Sequence, residues 1–213
     1  MLEEVPMKTN NTMQQMSMTE RRENGLLWVD TGENLNQQIL ARGLCQDFNL
    51  TRAAETEKRM EILKKLFASY GENVWIEPPL TLAMGNTVSI GDGTYINSNL
   101  TLVDDYKIYI GKNVLIAPNV TISTTNHPMH YQARMHGEMY CRPVVIEDHV
   151  WIGSNAVIGA GVTVGKGSVI GAGSVVTRDI PPMSFAAGVP CKVIREITDK
   201  DLEQFETIPN QDA

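Results

Sequence analysis

No apolar run in this chain approaches the roughly 20 residues that a bilayer-spanning helix needs. The first 17 residues, MLEEVPMKTNNTMQQMS, carry acidic groups and lack an apolar core, so they do not read as a secretory leader. Cysteine is scarce. Cys45, Cys141 and Cys191 are odd in number and widely spaced, which argues against a disulfide framework and for a reducing compartment. The cytoplasm is therefore the expected location, and sequons such as Asn99-Leu-Thr101 have no part in this reading. Positive charge is also short: a formal net charge of −7 excludes a general binder of nucleic acid or of anionic membranes. The one concentration of cations, Lys166, Arg178, Lys192 and Arg195, lies near the C-terminus and is a candidate patch for a phosphate-bearing ligand. What remains is ordinary for a globular chain, with 42% hydrophobic and 20% charged residues among 213, enough for one good core and a small appendage.

The strongest positive signal runs from Val144 to about Ile180. An aliphatic residue returns every six positions (Ile146, Ile152, Ile158, Val164, Ile170, Val176). Glycine follows most of them (Gly153, Gly159, Gly165, Gly171), and a small or β-branched residue sits two before each. Six residues advance an α-helix by about 600°, which scatters the apolar positions over several faces. In extended chain an even period keeps them on one face. Upstream, Ile76, Leu82, Ile90, Ile96, Leu102, Ile110, Ile116 and Ile122 are separated by 6, 8, 6, 6, 8, 6 and 6 residues. The two eights predict two-residue insertions that bulge outward at corners. Period and composition together are the signature of a parallel β-helix built from hexapeptide repeats. The rhythm breaks for 24 residues between Ile122 and Ile146, predicting an expelled loop over 124–143 that holds three of the four histidines. Loops on rigid scaffolds carry sites, so the break marks the functional candidate.

The rest of the chain divides around this solenoid. Residues 1–17 are read as a disordered extension, or as lying upstream of a natural start near Met18. Residues 18–73 form a small helical unit. Ser17-Met-Thr-Glu20 resembles a capping box, so a short helix begins there and ends at Gly25. The apolar segment LLWVD follows and ends in Asp30. Helical periods then run from about Glu33 to Ala41 and from Thr51 to Tyr70, with Gly71 as the expected C-terminal cap. The β-helix occupies 74–180. Pro181 and Pro182 are expected to stop the coil, leaving 181–213 as a tail with a strand (CKVIREI) and an acidic helix over 199–206.

Longer segments carry a resemblance. MTER (18–21), GENVWIEPP (71–79), NLTLVDDY (99–106), IGKNVLIAPNVTI (110–122), NHPMH (126–130), GEMY (137–140), VWIGSNAVI (150–158) and AAGVPCKVIREI (186–197) together resemble the hexapeptide-repeat sugar O-acetyltransferases. The match is to the galactoside and maltose acetyltransferase subgroup and covers nearly everything from Met18 to about Thr198. The resemblance implies a mainly β fold, a left-handed parallel β-helix against the usual right-handed crossover rule, with a small N-terminal helical unit and the expelled loop. It also implies a homotrimer with active sites between subunits, and acetyl-CoA as co-substrate with no metal required.

Acetyl transfer from a thioester to a sugar hydroxyl needs a base for the hydroxyl proton, and a neutral imidazole suits that task. The resemblance assigns it to His127 in Asn-His-Pro. His130 and His136 match less closely and are read as loop structure or rim, and His149 as a residue on the coil surface. The developing oxyanion needs a preset donor. The turn at Gly153-Ser154 offers backbone N–H groups, and the resemblance points to Ser154 for this and for coenzyme contact. For the acceptor it points to Asp30, Asn97 and Asp105, with Met139 as an apolar wall. Asp104 and Asp105 are adjacent on a strand and face opposite ways, so Asp105 is read as the ligand and Asp104 as structural. Glu138 is a candidate to orient the base. Coenzyme binding falls by resemblance to Ala172, Thr177, Arg178, Lys192 and Arg195, the last three supplying charge for phosphates. Ala83 stands where galactoside enzymes place a serine, which leaves maltose, glucose or another hexose open as acceptor. The expected reaction is direct transfer to a hexose hydroxyl, the primary 6-OH. Two other classes share the coil: a γ-type carbonic anhydrase holding zinc with three histidines, and a non-catalytic trimeric scaffold. The carbonic anhydrase takes its ligands from separate coils, whereas His127, His130 and His136 crowd one loop; the Asn-His-Pro loop and the basic patch argue against a scaffold. Another acceptor, such as serine, an antibiotic or a nucleotide sugar, is a further possibility; the helical N-terminal unit and Asp30 favour a free saccharide.

Overall fold

All of the aliphatic positions in the hexapeptide register point inward in the computed structural model, which describes residues 15–203. From Ile76 through Val176, each member of the series is buried. So are the residues two before the later members (Val144, Val150, Ala156, Val162, Ser168, Ser174). The short strands between corners stack in parallel into three sheets. The first sheet holds β1 (Ser69–Tyr70), β4 (Val88–Ile90), β7 (Ile108–Ile110), β12 (Val144–Ile146) and β15 (Thr163–Val164). The second holds β2 (Trp75–Ile76), β5 (Tyr95–Ile96), β8 (Leu115–Ile116), β13 (Trp151–Ile152), β16 (Val169–Ile170) and β18 (Ser184–Ala187). The third holds β3 (Leu80–Leu82), β6 (Leu100–Val103), β9 (Thr121–Ser123), β14 (Val157–Ile158) and β17 (Val175–Val176). Equivalent residues pair coil on coil, for example Ile96 with Ile116 and Ile116 with Ile152. The result is a parallel β-helix. No helix among the described residues is long and apolar enough to cross a membrane.

The corners impose a second constraint. Asn73, Asn113 and His149 occupy the corner between the first and second sheets with φ of 55°, 52° and 60°, and Gly93 and Gly167 fill the same place in other coils. That left-handed conformation suits glycine and asparagine, which explains the corner composition. His149 is thereby a corner residue on the coil surface. At the same corner Gly71, Gly91 and Gly111 lie so close to the next coil that an added Cβ would stand 2.6–2.8 Å from its backbone.

The helical unit closes one end of the solenoid. α1 (Met18–Glu23) starts on the expected capping box, Ser17 with Glu20, and Gly25 follows it with φ 66°. α2 (Gly32–Asn49) is twice the length read from the sequence. Its buried face is Asn34, Gln38, Ala41, Cys45 and Phe48, and the two polar members hide the stripe. The side-chain amide of Asn49 pairs with both backbone groups of Leu80, accepting from its N–H (2.8 Å) and donating to its carbonyl (2.8 Å). This covers the open edge of the third sheet as another strand would. α3 (Thr56–Leu66) is shorter than expected at both ends. Phe67 is already extended, Ala68 N–H donates to Val88, and Ser69–Tyr70 is the first solenoid strand. Inter-coil pairing there overrides the helical spacing, and Gly71 is a close-packed corner rather than a helix cap.

The other end also departs from expectation. Pro181 and Pro182 do not stop the coil: they form a corner, and β18 then adds to the second sheet beside β16. Neither proline needs to donate there, while the Pro181 carbonyl accepts from Ser168 Oγ at 2.7 Å. β19 (Lys192–Glu196) turns back antiparallel on β18 and finishes the sheet. α4 (Asp199–Leu202) is the acidic helix, with Glu203 as its C-cap. Residues 204–206 of the expected helix and residues 1–14 of the extension lie outside the described residues.

The two-residue insertions sit at corners, but they do not simply bulge outward. Asp104, 0% exposed, turns its carboxylate into the corner formed by the earlier insertion. It accepts from the N–H groups of Ala83 (2.7 Å), Met84 (3.1 Å) and Gly85 (2.7 Å) and from Thr87 Oγ1 (2.7 Å). Burial pushes its pKa up, against these donors, which favour the charged form. Asp104 is a structural residue. Asp104→Ala strands three amide N–H groups and a hydroxyl at a closed corner. It should cost about 3 kcal/mol or more in chemical denaturation. Asp104→Asn, which keeps the shape and one acceptor, should cost clearly less.

Candidate active site

After β9 the chain does not cross to the first sheet. It forms β10 (Thr125–Asn126), runs outward through a 3-10 turn (Tyr131–Arg134), and returns as β11 (Tyr140–Cys141), antiparallel to β10. Arg134 steadies the excursion by donating to the carbonyls of Pro128 (3.1 Å) and Met129 (2.9 Å). The N-terminal unit adds an isolated antiparallel bridge: Trp28 and Met139 exchange both backbone hydrogen bonds, at 2.9 and 3.0 Å. This explains the LLWVD segment, whose tryptophan is 2% exposed and locks the unit to the loop.

His127 lies exposed at the mouth of this patch, with Nδ1 2.8 Å from the carbonyl oxygen of Glu138. A carbonyl only accepts, so neutral His127 carries its proton on Nδ1 and leaves the Nε2 lone pair free. Glu138 thus touches the histidine through its backbone, not its carboxylate. The carboxylate accepts from His136 N–H at 2.9 Å, and backbone donors hold it below the usual range. His130 stacks on Tyr131, and with His136 it lies exposed on the loop.

The two expected carboxylates are near enough for the Asp105 charge to act on Asp30. Asp105 is 8% exposed and accepts from Thr125 Oγ1 at 2.7 Å. Asp30, two residues beyond Trp28 and exposed, has its pKa raised first by partial desolvation and then by the Asp105 charge, against a Gln38 hydrogen bond and the Arg22 and Arg42 charges. Cys141 closes the floor, its thiol raised by burial. Asp30, Asp105, His127 and Met139 therefore share the corner between the third and first sheets. Sequence reasoning missed Thr125, Gln38 and Arg22, because ordinary polar residues in helix and strand announce nothing by spacing.

Asn97, Ser154 and Ala172 occupy a different edge, the corner between the second and third sheets. Asn97 Oδ1 accepts from Ser98 N–H at 2.8 Å, which leaves its amide donor outward. At Ser154 one expectation needs correction. Gly153 N–H is not available to an oxyanion, since it donates to Ile170 at 2.8 Å. The donors left to the turn are those of Ser154 itself. The two edges are separated by the width of the third sheet, about six residues of extended chain and on the order of 20 Å.

The basic patch also resolves into parts. Thr177, Arg178 and Lys192 line one open cleft of about 450 Å³, on the same edge as His127. Arg195 is turned away from it: both Nη atoms pair with Asp201 (2.9 and 2.6 Å), and its guanidinium lies 6.0 Å from the centre of the Phe185 ring. That pairing pulls Asp201 down to about 2. Lys166 stands at the first-to-second corner, where its N–H is held by Glu147 at 2.7 Å. Among the described residues no group of three or more His, Cys, Asp or Glu is arranged to hold a metal ion.

Two family models match this chain: the bacterial transferase hexapeptide (six repeats) over residues 143–178, and the maltose acetyltransferase hexapeptide capping motif over 30–71. Galactoside O-acetyltransferase from Escherichia coli (strain K12) is 54% identical over 191 residues, 89% of this chain and 94% of that protein. A solved galactoside acetyltransferase in complex with coenzyme A superposes with a TM-score of 0.86 at 51% identity, covering 88% of this chain and 94% of the other. A maltose O-acetyltransferase from Clostridium difficile 630 superposes with a TM-score of 0.84 at 39% identity, covering 86% and 98%.

Proposed function

The chain belongs to the hexapeptide-repeat sugar O-acetyltransferases, in their galactoside and maltose acetyltransferase group, and is an acetyl-CoA-dependent acyltransferase; we propose that it acetylates the primary hydroxyl of a hexose or disaccharide with His127 as general base. The observation that carries this reading is the 2.8 Å contact of His127 Nδ1 with the Glu138 carbonyl. It presets the tautomer in which Nε2 can take a proton.

In the proposed step both substrates are bound together. Nε2 removes the hydroxyl proton as the sugar oxygen attacks the thioester carbonyl. The tetrahedral oxyanion is met by Ser154, through its own N–H and hydroxyl. Collapse breaks the C–S bond, and the imidazolium returns its proton to the departing thiolate. The products are the acetyl ester and free coenzyme A. Asp30, Asp105 and Asn97 hold the other hydroxyls, and Met139 forms an apolar wall. Ala83 contributes no side-chain donor, so glucose, maltose and galactosides all remain candidate acceptors. Coenzyme A would run along Ala172 with its phosphates at Thr177, Arg178 and Lys192. Arg195 joins that site only by giving up Asp201.

The division of these residues between two edges supports a homotrimer. One edge carries the base, two carboxylates and the cationic cleft; the other carries Asn97, Ser154 and Ala172. A three-fold ring sets the first edge of one protomer against the second edge of the next. The three free cysteines, Cys45, Cys141 and Cys191, fit a reducing compartment such as the cytoplasm.

His127→Ala should lower kcat by about two to four orders of magnitude and leave coenzyme A affinity near wild type by calorimetry. Near-normal turnover in that variant would sink the proposed base. Arg178→Ala combined with Lys192→Ala removes two charge-assisted contacts and should raise KM for acetyl-CoA about tenfold or more, with the acceptor KM little changed. An unchanged acetyl-CoA KM removes them from the coenzyme site.

A further inference from the structure

Two consecutive threonines on the departing arm of the loop take hold of the Asp105 corner in the preceding coil. Val103 and Ser123 are in register, so Thr124 and Thr125 follow β9 where Asp104 and Asp105 follow β6. Thr124 is fully buried. Its hydroxyl donates to the Val103 carbonyl at 3.0 Å and accepts from Tyr106 N–H at 3.1 Å. Its N–H also donates to the Val103 carbonyl, and its own carbonyl accepts from Arg142 N–H at 2.9 Å, just after β11. Thr125 Oγ1 donates to Asp105 Oδ2 at 2.7 Å. The backbone is therefore gripped on both sides of Asp105 by one threonine, and the Asp105 side chain is held by the next.

The direction of these bonds follows from the groups. A carboxylate oxygen accepts, so the single Thr125 hydroxyl proton goes to Asp105. The 3.5 Å contact between Thr125 Oγ1 and Cys141 Sγ is then a thiol donating to the hydroxyl oxygen. Cys141 is 2% exposed and stands opposite Thr125 in the β10–β11 pair. With its proton given to Asp105 and its oxygen met by Cys141, this hydroxyl is engaged on both sides. Two residues farther along the same arm, His127 is set by the Glu138 carbonyl. We propose that Thr125 is a positioning residue of the acceptor site: by engaging Oδ2 it fixes the rotation of the Asp105 carboxylate, so that Oδ1 meets a sugar hydroxyl in a set relation to His127. The inference rests on the proposed acceptor role of Asp105.

A carboxylate anchored through one oxygen differs from a freely turning one in two ways. Its torsion is settled before the acceptor arrives, so less side-chain freedom is lost on binding. It also offers its second oxygen in one direction, which orients a hydroxyl as well as attracting it. The reach from that oxygen to the base is carried by the short segment from Thr125 to His127. Its backbone is defined by the pairing of Thr125 with Cys141 and of Asn126 with Tyr140. Ser123 Oγ adds a local brace, accepting from Thr125 N–H at 3.3 Å and donating to its carbonyl at 3.2 Å. One arm of the loop thus carries the histidine and, two residues earlier, the hydroxyl that aims the carboxylate.

The test measures kcat and both KM values by thiol release, with glucose and with maltose as acceptors, for Thr125→Val, Thr125→Ala and Thr125→Ser. Val and Ala lose the hydroxyl and should each raise the acceptor KM about tenfold, as loss of one charge-assisted contact implies, with the acetyl-CoA KM unchanged. Ser keeps the hydroxyl and should hold the acceptor KM within about twofold of wild type. Because Thr125 acts through Asp105, adding Thr125→Val to Asp105→Ala should change the acceptor KM no further. Equal acceptor KM values in the Ser and Val variants, or single effects that multiply in the double variant, would overturn the inference. Asp105→Ala also separates the two levels. If it leaves the acceptor KM unchanged, the acceptor site itself is wrong. If it raises that KM while Thr125→Val and Thr125→Ala keep the wild-type value, only the role of Thr125 fails.

Discussion

The interior of this molecule is a column just wide enough for one aliphatic side chain per sheet in each coil. Parallel strands stacked at about 4.8 Å leave no slack along that column. Ile96, Ile116 and Ile152 sit directly above one another in the second sheet, each essentially without solvent contact. Outside the column the same tightness governs the backbone. A Cβ at Gly153 would stand 2.7 Å from the amide nitrogen of Ala172 in the next coil. Six-residue spacing, glycine after the aliphatic residue and a small residue before it are three consequences of one packing geometry.

Such a column permits variation only at corners, and there the chain varies usefully. The simplest corners are filled by residues that accept positive φ, such as Asn113 and Asn155. A two-residue insertion creates a pair of neighbouring carboxylates with opposite fates. Asp104 turns in, accepts from the corner N–H groups and is consumed by structure. Asp105 faces the loop and accepts from Thr125. Both lie in the corner just past β6 rather than in the strand, and both are buried; their partners, the corner N–H groups for one and the Thr125 hydroxyl for the other, set them apart. The largest insertion carries the histidine. Its two arms pair with each other and with Trp28, which gives an exposed histidine a backbone-defined orientation.

Much of this was legible in the chain. The even period, the corner glycines and the 24-residue break give the solenoid and its loop directly. What the pattern could not show follows from contacts distant in sequence. Ser69–Tyr70 carries on a helical rhythm, yet it pairs with Ser89–Ile90 and becomes strand. α2 hides its inner face because Asn34 and Gln38 replace apolar residues in it. Pro181 and Pro182 look like a stop and prove to be a corner, since proline is excluded only where an N–H must donate. In the candidate site, motif resemblance pointed to His127, Asp30 and Asp105. It could not show that the Glu138 carbonyl, rather than its carboxylate, orients the ring, that Gly153 N–H is already taken, or that Arg195 is paired with Asp201. Each of these depends on where a backbone or a charge finds its partner, and spacing does not record that.

The positions of the candidate residues along the column carry a last consequence. Asp105, His127 and Thr177-Arg178 follow one another down a single edge, from the second complete coil to the fifth. Asn97, Ser154 and Ala172 descend the opposite edge of the same sheet. Each row spans three coil spacings, about 14 Å along the axis. An elongated ligand can lie along either row, but the two rows of one chain face away from each other across the third sheet. With the proposed base on one edge and the proposed oxyanion donor on the other, both can act on the same carbonyl only where edges from different copies meet. A closed ring of identical chains satisfies this with one type of contact, because every copy offers both edges. On the proposed reading, the straightness that makes the solenoid easy to read is also what keeps the two rows of a single chain apart. Regular stacking keeps each row in line, so that docking at one coil aligns the rows along their whole length.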